Sequence, residues 1–201
     1  MKMAMAAFAA MTVILSGEMD ARAQAPAGYE AEPGDLINNA TVIFGETGAS
    51  EAQVQALVQN QQYSLSVLTA LAMGIQRLRG VPGRDALVIF AAAARTQDET
   101  RFVAGAVNQL ARYTEAVEPI TQVSAPGPIL GYTQSGALVV PMPVDYISWT
   151  ERVARFPQRN DIKAAPQHVG FISGRLSPLA LKNLSALNWK TFESFSIAAE
   201  R

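Results

Sequence analysis

Six residues carry side chains suited to holding or transforming an anion: Glu46, Thr47, Arg95, Asp98, Ser173 and Arg175. Each sits in a short polar stretch expected just after an apolar strand, namely residues 45–50 (GETGAS), 94–98 (ARTQD) and 173–177 (SGRLS). Sheets covered by helices on both faces bind their ligands outside the C-terminal strand ends. Loops converging there could hold an anionic ligand through the two arginines and the free amides of helix N-termini. Glu46 and Asp98, if brought together, would suit acid–base work or a cation. The competing reading makes the same residues structural, with glycines forming turns, hydroxyls capping helices and carboxylates stabilising helix starts. It outweighs the first because the rest of the catalytic inventory is thin. His168, the single histidine, opens a strand and lies at the wrong end of it to meet Ser173 or Ser177, whereas a Ser-His-acid site needs the imidazole beside the hydroxyl. No GxSxG, GxGxxG or Walker sequence occurs, so the loops lack the glycine and lysine spacing that cradles phosphates. Cysteine is absent, which removes thiolate chemistry, disulfides and sulfur-based metal sites. The sequence therefore assigns no catalytic residue, no metal ligand and no cofactor.

A second group is aromatic. Tyr132, Tyr146 and Trp149, with Met142 and Phe156, gather around a proline-rich stretch at residues 124–143. If that stretch projects from the domain, they form a partner-binding surface; if it folds back, they are core.

The elements that must position these groups are read from periodicity. Residues 40–45 (ATVIFG) and 86–91 (ALVIFA) are continuous apolar runs, the pattern of strands buried on both faces. Thr96 and Glu99 have capping-box spacing, and Phe102, Val103, Ala106, Val107, Leu110, Tyr113 and Val117 follow at helical intervals. Asp98, Arg101, Asn108, Arg112 and Glu115 occupy the other side of that helix. Ser50 and Gln53 make a second capping box before a helical pattern running to Leu78. A break near residues 60–64 is expected there, because Asn, Tyr and Ser are mediocre helix formers. A strand at 119–123, a rigid SAPGP turn and a hairpin around Thr133, Gln134, Ser135 and Gly136 come next. Tyr146, Trp149, Thr150, Val153 and Phe156 suit one face of a short helix capped by Asp145. Residues 168–173 read as a strand, Ser177-Pro178 as a helix start, Asn188 as its left-handed end, and 191–197 as an edge strand. The order predicts an α/β domain with a mostly parallel sheet of about five strands and helices on both faces, a Rossmann-like three-layer arrangement with an inserted β-hairpin at 124–143.

The run Leu78, Arg79, Gly80, Val81, Pro82, Gly83, Arg84 and the apolar residues up to Phe90 resembles the helix-to-strand step of secreted bacterial von Willebrand A-type domains. Those domains bind a metal through Asp-x-Ser-x-Ser after their first strand. This chain has Gly45, Glu46, Thr47, Gly48, Ala49 and Ser50 in that place, so the resemblance transfers no metal site.

Of 201 residues 49% are apolar and 16% charged, with 16 basic against 17 acidic side chains. That suffices for one domain with a real core, and it offers no basic stripe for nucleic acid. Lys2, an apolar run at residues 3–17 and small residues at 21–25 have the layout of a signal peptide, with cleavage expected after Ala23. Membrane contact is expected only through that segment, were it retained. The expected organisation is a signal segment at 1–23, a flexible linker at 24–38 and a single domain at 39–201. These features favour an exported, periplasmic or secreted, noncatalytic binding or structural component of a bacterial cell envelope, partnered by another envelope protein. The alternative is an exported hydrolase using the carboxylates and arginines of the strand-end loops.

Overall fold

The computed structural model describes residues 32–194. The expected signal segment, linker residues 24–31 and edge-strand residues 195–197 lie outside them. The chain is mixed α/β, with a helical first half and a sheet in the second.

Five helices come first: α1 (Pro33–Gly45), α2 (Glu51–Val58), α3 (Leu65–Arg77), α4 (Arg84–Ala92) and α5 (Gln97–Ala116). Two of them replace expected strands. Along 40–45, Ala40 and Phe44 are buried while Val42 is 63% exposed, and along 86–91, Leu87, Val88 and Ala91 are buried while Ile89 is 44% exposed. Burial at i, i+1 and i+4 belongs to a helix packed on one side; a strand covered on both faces would bury every residue. Short apolar runs do not distinguish the two by periodicity, and the alanines of 91–94 favour helix. Residues 33–38, expected in the linker, form the first turns of α1.

The expected break after α2 is present, and its residues do structural work. The Asn60 side-chain amide donates to the carbonyls of Ala92 (3.2 Å) and Ala94 (2.9 Å), and the Tyr63 hydroxyl donates to that of Ala91 (3.0 Å). Together they satisfy the open C-terminus of α4, and burial of Tyr63 pushes its phenol pKa up. Ser50 and Gln53 form the full capping box on α2. At α5 the Thr96 hydroxyl accepts from the Glu99 amide at 3.2 Å, but the Glu99 carboxylate bonds the amide of Arg95, one residue before the cap.

The sheet has the strand order β1 (Ile120–Ser124), β2 (Leu130–Thr133), β3 (Ala137–Met142), β5 (Gln167–Ile172), β7 (Trp189–Phe192). The β1–β2 and β2–β3 pairs are antiparallel and the β3–β5 and β5–β7 pairs parallel. The sheet is therefore mixed, not Rossmann-like, and the expected hairpin is β2–β3, seated in the middle of the sheet and not inserted into it. Alternation divides two cores. Ala137, Val139, Val169 and Phe171 join the helical half, and Leu138, Val140, Ile172 and Trp189 join the other face. That second face is covered by Ile162 of α7 (Asn160–Lys163) and by Ala180 and Leu184 of α8 (Pro178–Ala186). Ser177 caps α8 by accepting from the Ala180 amide, with Pro178 at its first turn.

Helix α5 lies between α3 and the sheet. Asn108, expected on its polar side, is buried, its amide donating to the carbonyls of Ala70 and Ala104 at 2.9 Å each.

The parallel pair β3–β5 breaks and resumes. Met142 pairs with Ile172, an offset of 30; beyond the break Tyr146 pairs with Arg175, an offset of 29. The resumed strands are β4 (Tyr146–Ile147) and β6 (Arg175–Leu176). One extra residue on the first strand makes this a bulge, and it flips the side-chain phase: Leu138, Val140, Met142 and Val144 face the second core before it, Ile147 and Trp149 after it. Gly174 sits at the break, where a Cβ would fall 1.7 Å from the Asp145 carbonyl oxygen. Tyr146 and Trp149, expected on a helix, are thus in strand β4 and the loop after it. The helix is only α6 (Glu151–Arg155), capped by Thr150 and not Asp145.

Two outcomes follow for stability. Gly83, at φ +86, leads into α4, and a Cβ there would meet the Val123 carbonyl oxygen at 2.0 Å. Gly83→Ala is expected to lose about 2 kcal/mol or more in urea unfolding, while Gly34→Ala, with open space around it, stays neutral or gains up to about 1 kcal/mol. The Arg77 guanidinium hydrogen-bonds Glu115 and holds its carboxyl below the usual range. That pair stabilises the fold above the ordinary glutamate pKa and stops doing so as pH falls through the depressed value. Glu115→Gln should therefore cost no more than about 1 kcal/mol at neutral pH, the pair being half exposed, and the gap to wild type should close on acidification.

Candidate functional site

The anion site expected from the sequence is not assembled. With α1 and α4 in place of strands, residues 45–50 and 94–98 follow helices, and only residues 173–177 follow a strand. Glu46 ends α1; its carboxylate faces Arg79 at 3.5 Å and its carbonyl accepts from Arg84 at 3.1 Å. The Thr47 hydroxyl donates to the Phe44 carbonyl at 2.6 Å. Asp98 pairs with Arg101 at 3.1 Å on the exposed first turn of α5, the Arg95 amide is held by Glu99, and both acids stand where negative charge stabilises a helix start. Glu46 and Asp98 each face a different arginine and not each other. The Ser173 hydroxyl accepts from the buried Gln109 amide at 2.9 Å. Arg175 stands beside Tyr146 across the β4–β6 pair.

His168 is equally engaged. Its Nε2 lies 2.8 Å from the Ile162 carbonyl, which fixes a proton on that nitrogen, and its ring stacks on Trp189 with centroids 5.1 Å apart. It ties α7 to the sheet. Among the described residues no group of three or more His, Cys, Asp or Glu could hold a metal ion, and no helix is long and apolar enough to cross a membrane.

A concave feature lies at the bulge. A groove of about 610 Å³ is floored by Val140, Pro141, Met142 and Val144 as β3 ends. Tyr146 and Ile147 of β4, with Val153 and Phe156 of the following helical turn, form its wall, and Leu184 and Trp189 close its back. Phe102 of α5 and Pro128 reach it from the rim. Its residues are brought together by local chemistry. Pro141 stays in register with Phe171 and Met142 with Ile172, and regular pairing of β3 stops just before Pro143, which has no amide to donate. The Gly174 amide then bonds the Val144 carbonyl and the Arg175 amide that of Asp145, resuming the ladder as a separate two-stranded sheet. Thr150 accepts from the Val153 amide and starts α6 over the opening. The lining is overwhelmingly apolar, with Ser148, Thr150, the Tyr146 hydroxyl and Arg152 as its polar groups.

Of the aromatic group singled out in the sequence, Met142, Tyr146 and Phe156 line this groove. Tyr146 is 59% exposed, whereas Tyr132 and Trp149 are half-buried against the second core. Sequence reading missed Val144, Ile147 and Val153 as groove residues; the available signal was the pair of prolines at 141 and 143, which marks the place where β3 must break.

The geometry defines a mixed α/β domain with a preformed apolar groove, a class of site and not a family. No protein-family model matches the chain, and neither curated proteins nor solved structures match it.

His168→Leu is expected to cost about 1 kcal/mol, since it removes the shorter of two hydrogen bonds to the Ile162 carbonyl, which keeps the Ala165 amide at 3.3 Å. Chemical unfolding measures this, and a variant as stable as wild type would show that the ring ties nothing together.

Proposed function

We propose that this protein is an exported, noncatalytic binding component of a bacterial-type cell envelope, periplasmic or secreted, and that the groove beside β4 is its binding surface. The observation that supports this is the groove: a cavity within the usual range of ligand sites, roughly 300–1,000 Å³, apolar in lining and edged by an exposed tyrosine. Burying such a surface on binding removes apolar area from water, and aromatic anchors concentrate that gain. Export rests on the charge, apolar run and small-residue order of residues 1–25. An envelope protein is the partner this reading names. The loop carboxylates that a hydrolase would employ are engaged at helix ends, Glu46 toward Arg79 and Asp98 toward Arg101.

Capture from the native envelope fraction tests the reading, with wild type compared against Val153→Arg, which sets a charge in the apolar wall. One partner recovered in stoichiometric amount is expected from wild type, with recovery reduced at least tenfold for the variant at unchanged thermal stability. Equal recovery by both would remove the groove from the proposal. The mature protein from the same fraction is expected to begin at Gln24, and an intact Met1 would remove export.

A further inference from the structure

We propose that the groove takes a single-chain carboxylate amphiphile, the carboxylate on Arg152 and the acyl chain along the apolar floor. This rests on reading the groove as a binding site and gives it a different occupant from the envelope protein named above, a small amphiphile in place of a protein segment; the titration below and the capture experiment decide between the two. Charge complementarity carries it. Among the described residues Arg152 is the one charged side chain that lines the groove, and no carboxylate does. Its neighbour Glu151 is engaged with Arg155 one turn along, and Arg152 takes part in none of the ion pairs among the described residues.

A guanidinium at the edge of apolar walls offers a fork of donors matched to a planar carboxylate. The hydroxyls of Ser148 and Thr150 also line the groove, and the Thr150 oxygen already accepts from the Val153 amide, so its proton is free to be donated. Away from these groups the lining offers only hydrocarbon, aromatic and proline surface: Val140, Met142, Val153, Phe156 and Leu184. A neutral polar ligand would lose its hydration there without compensation. A small free anion would leave the apolar floor uncovered. An amphiphile with one charged end and one apolar chain satisfies both parts.

The test is fluorescence titration of the chain with cis-parinaric acid and, in parallel, its methyl ester, on wild type, Arg152→Gln and Val153→Trp. Arg152 is exposed, so its replacement leaves the fold intact; circular dichroism checks both variants. Saturable binding of the acid is expected, roughly tenfold or more tighter than the ester, with Arg152→Gln abolishing the difference and Val153→Trp, which fills the groove, weakening both ligands. Equal affinity for acid and ester, or an Arg152→Gln variant that keeps the preference, would overturn the carboxylate while leaving an apolar binding groove in place. Absence of saturable binding by either probe would overturn the amphiphile altogether, and the fate of the envelope-partner reading would then be decided separately by the capture experiment.

Discussion

Helix α5 is covered on both flanks, and the rest of the molecule is arranged around that constraint. A helix can be approached this closely only where its neighbours give up side chains. Gly74 of α3 does so opposite Val107 and Asn108, and Gly131 of β2 does so opposite Leu110, where an added Cβ would sit 2.9 Å from Leu110 Cδ2. The close packing leaves the Asn108 amide out of water, and the bond to Ala70 makes that burial tolerable. Through α5 the helical half and the sheet share one core, including the edge-to-face contact of Tyr113 with Phe171. Burial, with the nearby Glu118 carboxylate, raises the Tyr113 phenol and keeps that ring neutral.

The second core is thinner, built under short helices α7 and α8, and the groove opens where it runs out. Its walls come from the strand interruption and from a helix of five residues. Beyond the bulge β4 pairs only with β6, outside the five-stranded sheet, and the groove lies along that junction.

What could be read from the sequence was what short-range chemistry decides. The hairpin around Gly136, the start of α8 at Ser177-Pro178, the left-handed Asn188 at φ 59 and the interruption after α2 each depend on a few adjacent residues. Residues 40–45 and 86–91 were misleading because a run such as LVIFA satisfies a buried strand and a packed helix alike, and tertiary burial chooses between them. From that one ambiguity followed the parallel sheet and the anion site, since both needed strand ends at Glu46 and Arg95. The groove was illegible for a different reason. Its lining comes from several elements whose meeting depends on a register offset: the prolines at 141 and 143 mark where β3 ends but not by how many residues the ladder shifts, although Met142, Tyr146 and Phe156 were visible as an aromatic and apolar concentration.

Surface connections ordinarily accept added or missing residues with little consequence. Residues 143–145 are an exception, because their number sets which way the following chain faces. With three residues there against two in the partner strand, Ile147 turns inward beside Leu176 and Tyr146 turns out. Removing one would exchange them, exposing an isoleucine and forcing a phenol toward the core. In a lineage of such chains this segment should vary freely in composition at its exposed positions and hardly at all in length.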